Sequence, residues 1–267
     1  MGYEWAARMA AAAWQAVRDA AGGLTAVVMP DDCRVCQRPR EDASRIPVCD
    51  KCLGSFLRIQ EPFCAVCGRP MLPGAHLGAE GPLCALCRRG VYSFQLARSY
   101  AAYDQSLMRA VTLLKHAAIR PLARWFGLRL AEVARSRLHG FEPQIVVPVP
   151  LHPDRQRERG FNQAELLAQV VAQELGLPMD SRAIQRQKPR PPKHRLSRHE
   201  RWEAARGAYA PAPDGRIDNR RVLLVDDVFT TGATLDACAR ALRSAGAAQV
   251  AALTIARVIE AWAGAVP

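Results

Sequence analysis

Residues 222–225 read Val-Leu-Leu-Val and run straight into two adjacent carboxylates, Asp226 and Asp227. An apolar run without alternation is buried on both faces, and such a strand belongs to a parallel sheet covered by helices. Other segments agree with that class. FQLARSYAAY (94–103) alternates as a strand, while PQIVVPVPL (143–151) and QVAALTIARV (249–258) read as further strands. Between them, residues 106–138 have helical spacing, as two helices broken near Pro121. Residues 161–176 form an amphipathic helix ended by Gly176, and residues 232–247 a helix that stops at Gly246. Strands alternating with helices of about 10–15 residues predict an α/β fold, a parallel sheet with helices on both faces. Ligands of such sheets sit outside the carboxyl ends of the strands.

Asp226 and Asp227 leave their strand at that end. The loop Phe229-Thr230-Thr231-Gly232-Ala233-Thr234 follows and opens a helix. Backbone N–H groups and hydroxyls at a helix N-terminus cradle a phosphate monoester, and Gly232 allows close approach of the backbone. Paired carboxylates suit vicinal hydroxyls and a divalent cation. A sugar phosphate with Mg²⁺ satisfies both halves. The plainer alternative is a strand-end turn with Thr230 or Thr231 as an ordinary N-cap. The unbroken order of apolar run, two acids, hydroxyl-rich loop and helix favours the phosphate site.

Eight of the nine cysteines form four C-x-x-C pairs: Cys33 and Cys36, Cys49 and Cys52, Cys64 and Cys67, Cys84 and Cys87. Two intervening residues let one tight turn aim both sulfurs at a single tetrahedral ion. The loops between pairs hold 12, 11 and 16 residues, near the spacing of four-cysteine zinc sites. The segment is rich in Pro and Gly, so metal binding supplies much of its folding energy, on the order of 10 kcal/mol per site. Disulfides would need an oxidising compartment. Two structural zincs are expected, with the pairs taken in sequence; a cross-braced pairing fits the spacing as well. All four positions at each ion are filled by thiolate, which leaves none open for catalysis. Cys238 lies in a helical pattern and reads as a small buried residue.

The formal net charge of +12 favours a polyanionic partner; a surface simply rich in Arg is the alternative source. No apolar run reaches the ~20 residues of a membrane helix. The N-terminal stretch lacks a basic start and carries Glu4, unlike a secretory signal. The expectation is a cytoplasmic protein with an N-terminal helix over 1–30, a double zinc ribbon over 31–92 and the α/β domain over 93–267.

VLLVDDVFTTGAT resembles the 5-phosphoribosyl pyrophosphate (PRPP) signature of type I phosphoribosyltransferases. Together with the cysteine module, VPVPLHPDRQRERGFNQAELLA and LSRHERWEAARGAY, it resembles the ComF family, also described as GntX-like or amidophosphoribosyltransferase-like competence proteins. The resemblance covers about residues 31–258. It implies the type I phosphoribosyltransferase fold, with Asp226 and Asp227 at the ribose hydroxyls, directly or through Mg²⁺. It places the 5′-phosphate on Thr230, Thr231, Gly232, Ala233 and Thr234. The turn at Val149, Pro150 and Leu151 matches the family's pyrophosphate loop. Arg155, Arg157 and Arg159 follow, and guanidinium groups fork onto pyrophosphate oxygens. Asn162 or Gln163 is placed to cap the next helix.

Residues 182–206 hold nine Lys or Arg against Glu200 and Glu203, and read as a mobile basic loop. In phosphoribosyltransferases a loop at this place closes over the reacting centre. Such a strip also suits the backbone of single-stranded DNA, with Arg190, Lys193, Arg195, Arg198 and Arg201 as contacts. Trp202 reads as an anchor of the loop to the body. The family usually has Thr and Gln before LSR, where this chain has Arg190 and Lys193. Two functions follow from the resemblance. One is a PRPP-binding protein in DNA uptake, with single-stranded DNA and DNA-uptake or recombination proteins as partners. The other is an active phosphoribosyltransferase with an unassigned acceptor.

Overall fold

The computed structural model describes residues 32–40, 44–72, 77–78, 81–117, 119–189, 196–215 and 217–259. The helix expected over 1–30 lies outside them. The chain divides into two compact units, residues 1–56 and 57–267, so the division falls between the two cysteine quartets.

In the first unit the Cys33–Cys36 turn is closed by Cys33 N–H donating to Arg38 O (2.9 Å) and Gln37 N–H donating to Cys33 O (2.7 Å). Helix α1 (Asp50–Gly54) carries the second thiol pair at its start.

The second unit opens with a matching turn. Cys64 N–H donates to Arg69 O and Gly68 N–H to Cys64 O. The short strands β1 (Leu77–Gly78) and β2 (Gly81–Pro82) pair antiparallel, and α2 (Ala85–Arg88) follows. This knuckle is docked on the next strand, β3 (Leu96–Ala102). Ala97 N–H donates to Val66 O at 2.6 Å, and a Cβ on Gly68 (φ +66°) would stand 2.6 Å from Ala97 O. Gly68 therefore meets both the left-handed conformation and the close approach that only glycine tolerates.

The main sheet has four parallel strands in the order β3, β8 (Gln249–Arg257), β7 (Arg221–Phe229), β4 (Ile145–Pro148). β7 is central and buried from Val222 to Asp227, as its uninterrupted apolar run requires. The helical stretch 106–138 is two helices, α3 (Gln105–Ala117) and α4 (Arg120–Arg137), with Pro121 in the first turn of α4, where a missing N–H costs nothing. α4 packs on α6 (Gln163–Leu175) over one face. Their approach is so close that a Cβ on Gly127 would lie 2.5 Å from Val170 Cβ. α8 (Ala233–Ser244) covers the other face, and the core there extends to Cys64, Cys67 and Cys87.

The basic stretch differs from a plain loop. It contains β5 (Ile184–Arg186), paired antiparallel with β6 (Tyr209–Pro211), and the helix α7 (Arg198–Ala205). The cause is a capping box: Ser197 Oγ accepts Glu200 N–H while the Glu200 carboxylate accepts Ser197 N–H. Three-residue strands carry too little periodicity to be read from sequence.

Candidate functional site

The carboxyl ends of β4 and β7 bring three segments together. After β7 the chain enters Thr230, Thr231 and Gly232, and Gly232 caps α8 with φ +86°. Thr231 Oγ1 accepts Ala233 N–H at 3.4 Å, and Thr231, Gly232 and Ala233 are buried, with Thr230 and Thr234 half-buried. The first-turn N–H groups of a helix have no intrahelical acceptors, so this loop presents donors at the positive end of the α8 dipole. A Cβ on Gly232 would sit 2.6 Å from both the Phe229 and the Tyr92 rings. Tyr92 OH donates to Thr231 O at 3.0 Å. Burial pushes the Tyr92 phenol up to about 12, so it remains a donor at neutral pH.

Both acids are buried, Asp226 at 8% and Asp227 at 5% exposure. They do not stand side by side. Successive side chains of a strand alternate between faces, and the two carboxylates diverge accordingly. Asp226 Oδ1 accepts Asp227 N–H at 2.8 Å, and its charge adds to the burial that raises the Cys238 thiol on α8. Asp227 faces α6, where Gln163 Nε2 donates to its Oδ2 at 3.0 Å. Lys115 Nζ on α3 lies 3.1 Å from the same oxygen. Arg159 Nη1 donates to Gln163 Oε1 at 2.6 Å. A continuous polar path thus runs from Arg159 through the Gln163 amide to Asp227 and Lys115. Lys115 and the bridging role of Gln163 escape a reading of the sequence: a lysine in the last turn of an amphipathic helix looks like an exposed charge near the helix C-terminus.

Val149, Pro150 and Leu151 form the turn after β4. Val149 N–H donates to Val225 O, and Asn162 Nδ2 donates to Val149 O at 3.0 Å. Asn162 Oδ1 accepts Ala164 N–H and caps α6, which ties the turn to that helix. Between them lies α5 (Pro153–Arg159), ended by Gly160 at φ +77°. Arg157 is paired with Asp154, and Arg155 with Glu158 at 2.9 Å, all four on the exposed surface of α5 or close to it.

The thiols cluster in sequence: Cys33, Cys36, Cys49 and Cys52 in one group, Cys64, Cys67, Cys84 and Cys87 in the other, each within 4.8 Å. Four sulfurs about 2.3 Å from one ion would lie about 3.8 Å apart. The measured edges are 3.8 Å for Cys33–Cys52, 3.9 Å for Cys36–Cys49 and 3.7 Å for Cys67–Cys84. A disulfide would bring them to about 2 Å. The donor set and spacing fit tetrahedral zinc, and backbone N–H groups of Cys49 and Cys84 donate to the sulfurs of Cys33 and Cys64. Cys238 is fully buried and apart from both groups.

Of the basic residues, Arg198 and Arg201 lie one turn apart on α7, both half-buried, with Arg201 Nε donating to Leu196 O. Arg190, Lys193 and Arg195 lie outside the described residues. Trp202 packs against the buried core, its ring 6.0 Å from that of Tyr92.

Two family models match this arrangement: a phosphoribosyl transferase domain over residues 159–263 and a double zinc ribbon domain over 24–88. The fold is that of a type I phosphoribosyltransferase, joined to two four-cysteine zinc-binding sites. Competence protein F of Haemophilus influenzae is 30% identical over 215 residues, 78% of this chain and 88% of that protein. DNA utilization protein YhgH of Salmonella typhimurium is 30% identical over 236 residues, 87% of this chain and all of that protein. Competence protein ComFC of Bacillus subtilis is 26% identical over 214 residues, 79% of this chain and 84% of that protein. The chain belongs to this family of competence and DNA utilization proteins. Among the described residues, no helix is long and apolar enough to cross a membrane.

Proposed function

We propose that the chain binds Mg²⁺·PRPP at the carboxyl edge of its sheet and acts in DNA uptake in the cytoplasm, with single-stranded DNA following the basic stretch. The observation that carries the ligand reading is the join of two halves at one strand end. On one side of β7 lies the Thr230–Thr234 loop on the N-terminus of α8; on the other, Asp227 is wired through Gln163 to Arg159. In this reading the loop holds the 5′-phosphate, and Asp226 and Asp227 hold the ribose hydroxyls and Mg²⁺. The Val149–Leu151 turn with Arg157 and Arg159 holds the pyrophosphate. Lys115 serves as counter-ion to Asp227 until the ligand brings its own cation. The relatives' names supply the DNA half of the proposal: one is a DNA utilization protein and two are competence proteins. Arg198 and Arg201 on one face of α7 belong to the DNA strip.

A second reading is phosphoribosyl transfer to an acceptor. Lys115 beside Asp227 favours it, because a cation at this edge would stabilise charge on departing pyrophosphate. Calorimetry with Mg²⁺ and PRPP, run beside a pyrophosphate-release assay with candidate acceptors, separates the two. A Mg²⁺-dependent complex without turnover supports the binding role; turnover supports the transferase. The double variant Asp226→Ala, Asp227→Ala is expected to lose PRPP binding and keep two zincs per chain. Retained PRPP affinity in that variant would refute the site.

A further inference from the structure

The second cysteine quartet lies in the same compact unit as the sheet, and three contacts tie it to the phosphate loop. The first is Arg257, at the end of β8. It is 1% exposed, a charge almost wholly out of water. Its Nη1 donates to Cys67 O at 2.6 Å and its Nη2 to Cys67 Sγ at 3.4 Å. Its guanidinium carbon stands 3.9 Å from the centroid of the Phe229 ring, the residue that leads into Thr230. The second is Tyr92, five residues past Cys87, which donates to Thr231 O and wedges its ring against Gly232. The third is Ser93, whose N–H donates to Asp236 Oδ1 in the first turn of α8 at 2.8 Å.

A buried guanidinium needs a compensating negative charge. Four thiolates around a dication leave a net charge of about −2, and the half-buried Arg98 also reaches this knuckle, donating to Ala65 O at 2.9 Å. Arg98 and Arg257 together match the charge of a zinc-loaded quartet. Without the metal the four sulfurs are no longer held to one point, and Arg257 loses the fixed partner it has in Cys67.

We infer that the second four-cysteine site is a structural part of the phosphate loop: Arg257 and Tyr92 are positioning residues that make metal occupancy and loop order one coupled equilibrium. The coupling is reciprocal, since whatever factor the metal adds to ligand affinity the ligand must add to metal retention. This inference rests on the ribose-phosphate reading only for its second arm.

Hydrogen exchange on the full, zinc-loaded chain tests it without any ligand. Arg257→Gln keeps all eight thiols. It is expected to raise amide exchange across 229–234 at least about fivefold, the low end of ordinary coupling factors, and to speed release of one of the two zincs to a chelating dye. The β4 amides should stay protected. Arg257→Lys should restore part of the protection, and Tyr92→Phe should raise exchange over the same residues with zinc content unchanged. In the second arm, saturating Mg²⁺·PRPP should raise the equilibrium affinity of wild type for one zinc by the factor through which removal of that zinc weakens PRPP binding. Unchanged exchange over 229–234 in both Arg257→Gln and Tyr92→Phe overturns the inference. So does a rise spread evenly over the whole sheet, which would mark a global loss of stability. If PRPP binds no form of the chain, the ribose-phosphate reading fails, and the exchange result alone still decides the coupling.

Discussion

Replacing Lys115 by Met removes the ammonium and keeps the stem. The pair it breaks has Nζ 3.1 Å from Asp227 Oδ2, with side-chain exposures of 26% and 7%. At an effective dielectric of about 20, the gross attraction at that distance is about 5 kcal/mol. Desolvation offsets much of it. A fully exposed pair would be worth under about 1 kcal/mol, and breaking a fully buried one costs about 3–5 kcal/mol. One partner is sheltered and the other reaches water, so the coupling should be about 2 kcal/mol. The two single changes should not be equal. Lys115→Met strands a carboxylate that is almost wholly buried, with Gln163 Nε2 as its remaining side-chain donor among the described residues. Asp227→Asn frees a lysine that can turn to solvent. The lysine change should therefore cost more. Urea unfolding with zinc in excess, read on Lys115→Met, Asp227→Asn and the double variant, isolates the coupling. With a slope of about 2 kcal/mol per M, 2 kcal/mol appears as a midpoint displacement of about 1 M. A coupling below about 0.5 kcal/mol, or a costlier Asp227→Asn, would refute the reasoning and remove Lys115 from the site.

Gly232→Ala should lower PRPP affinity and stability together. The added Cβ meets Phe229 and Tyr92 at 2.6 Å in a left-handed backbone, an estimated cost of about 2–4 kcal/mol from strain and overpacking combined; a thermal midpoint equal to wild type would contradict the packing described. Metal analysis should find two zincs per chain, and stripping them with a chelator should unfold the first unit, seen as loss of exchange protection over 33–52; protection that survives removal would refute metal-driven folding. Affinity for single-stranded DNA should fall steeply with salt. Arg195→Ala, Arg198→Ala and Arg201→Ala together should reduce the slope of log K against log salt by about 2, from about 0.7 per phosphate contact. An unchanged slope would place the contact surface elsewhere.

What the sequence disclosed was carried by local pattern. Val222–Val225 could only be a strand buried on both faces, and the eight paired cysteines announced their clusters by spacing. The loop at Thr230–Thr234 followed from its place after that strand. Lys115 was hidden because its partner lies 112 positions away, and nothing in a single helix specifies which strand end its last turn will reach. Of the two candidate caps, Asn162 and Gln163, it is Asn162 that caps α6, which frees the Gln163 amide to bridge Arg159 and Asp227. The role of Arg257 had one faint signal, a charge closing the stretch Val250–Ala256, which is apolar but for Thr254; its burial could not be foreseen without the docked knuckle. α7 was read as loop: its capping box, Ser197 with Glu200, stands among charge and proline that masked it.

Two adjacent acids at a strand end read as one bidentate clamp, and strand geometry says otherwise. Period-two alternation sends Asp227 to the α6 face and Asp226 to the α8 face. Each therefore belongs to a different half of the candidate site: Asp227 to the Arg159 and Lys115 side, Asp226 to the side of the Thr230–Thr234 loop and α8. The pairing of β7 fixes this assignment twice, through Val225 opposite Leu253 on β8 and opposite Pro148 on β4. A slip of one residue would exchange the two acids and expose Leu224 and Val225 to the wrong layers, which the fully buried strand forbids. The doubled carboxylate is thus what lets one strand join the two halves of the proposed site, whose parts come from opposite faces of the sheet.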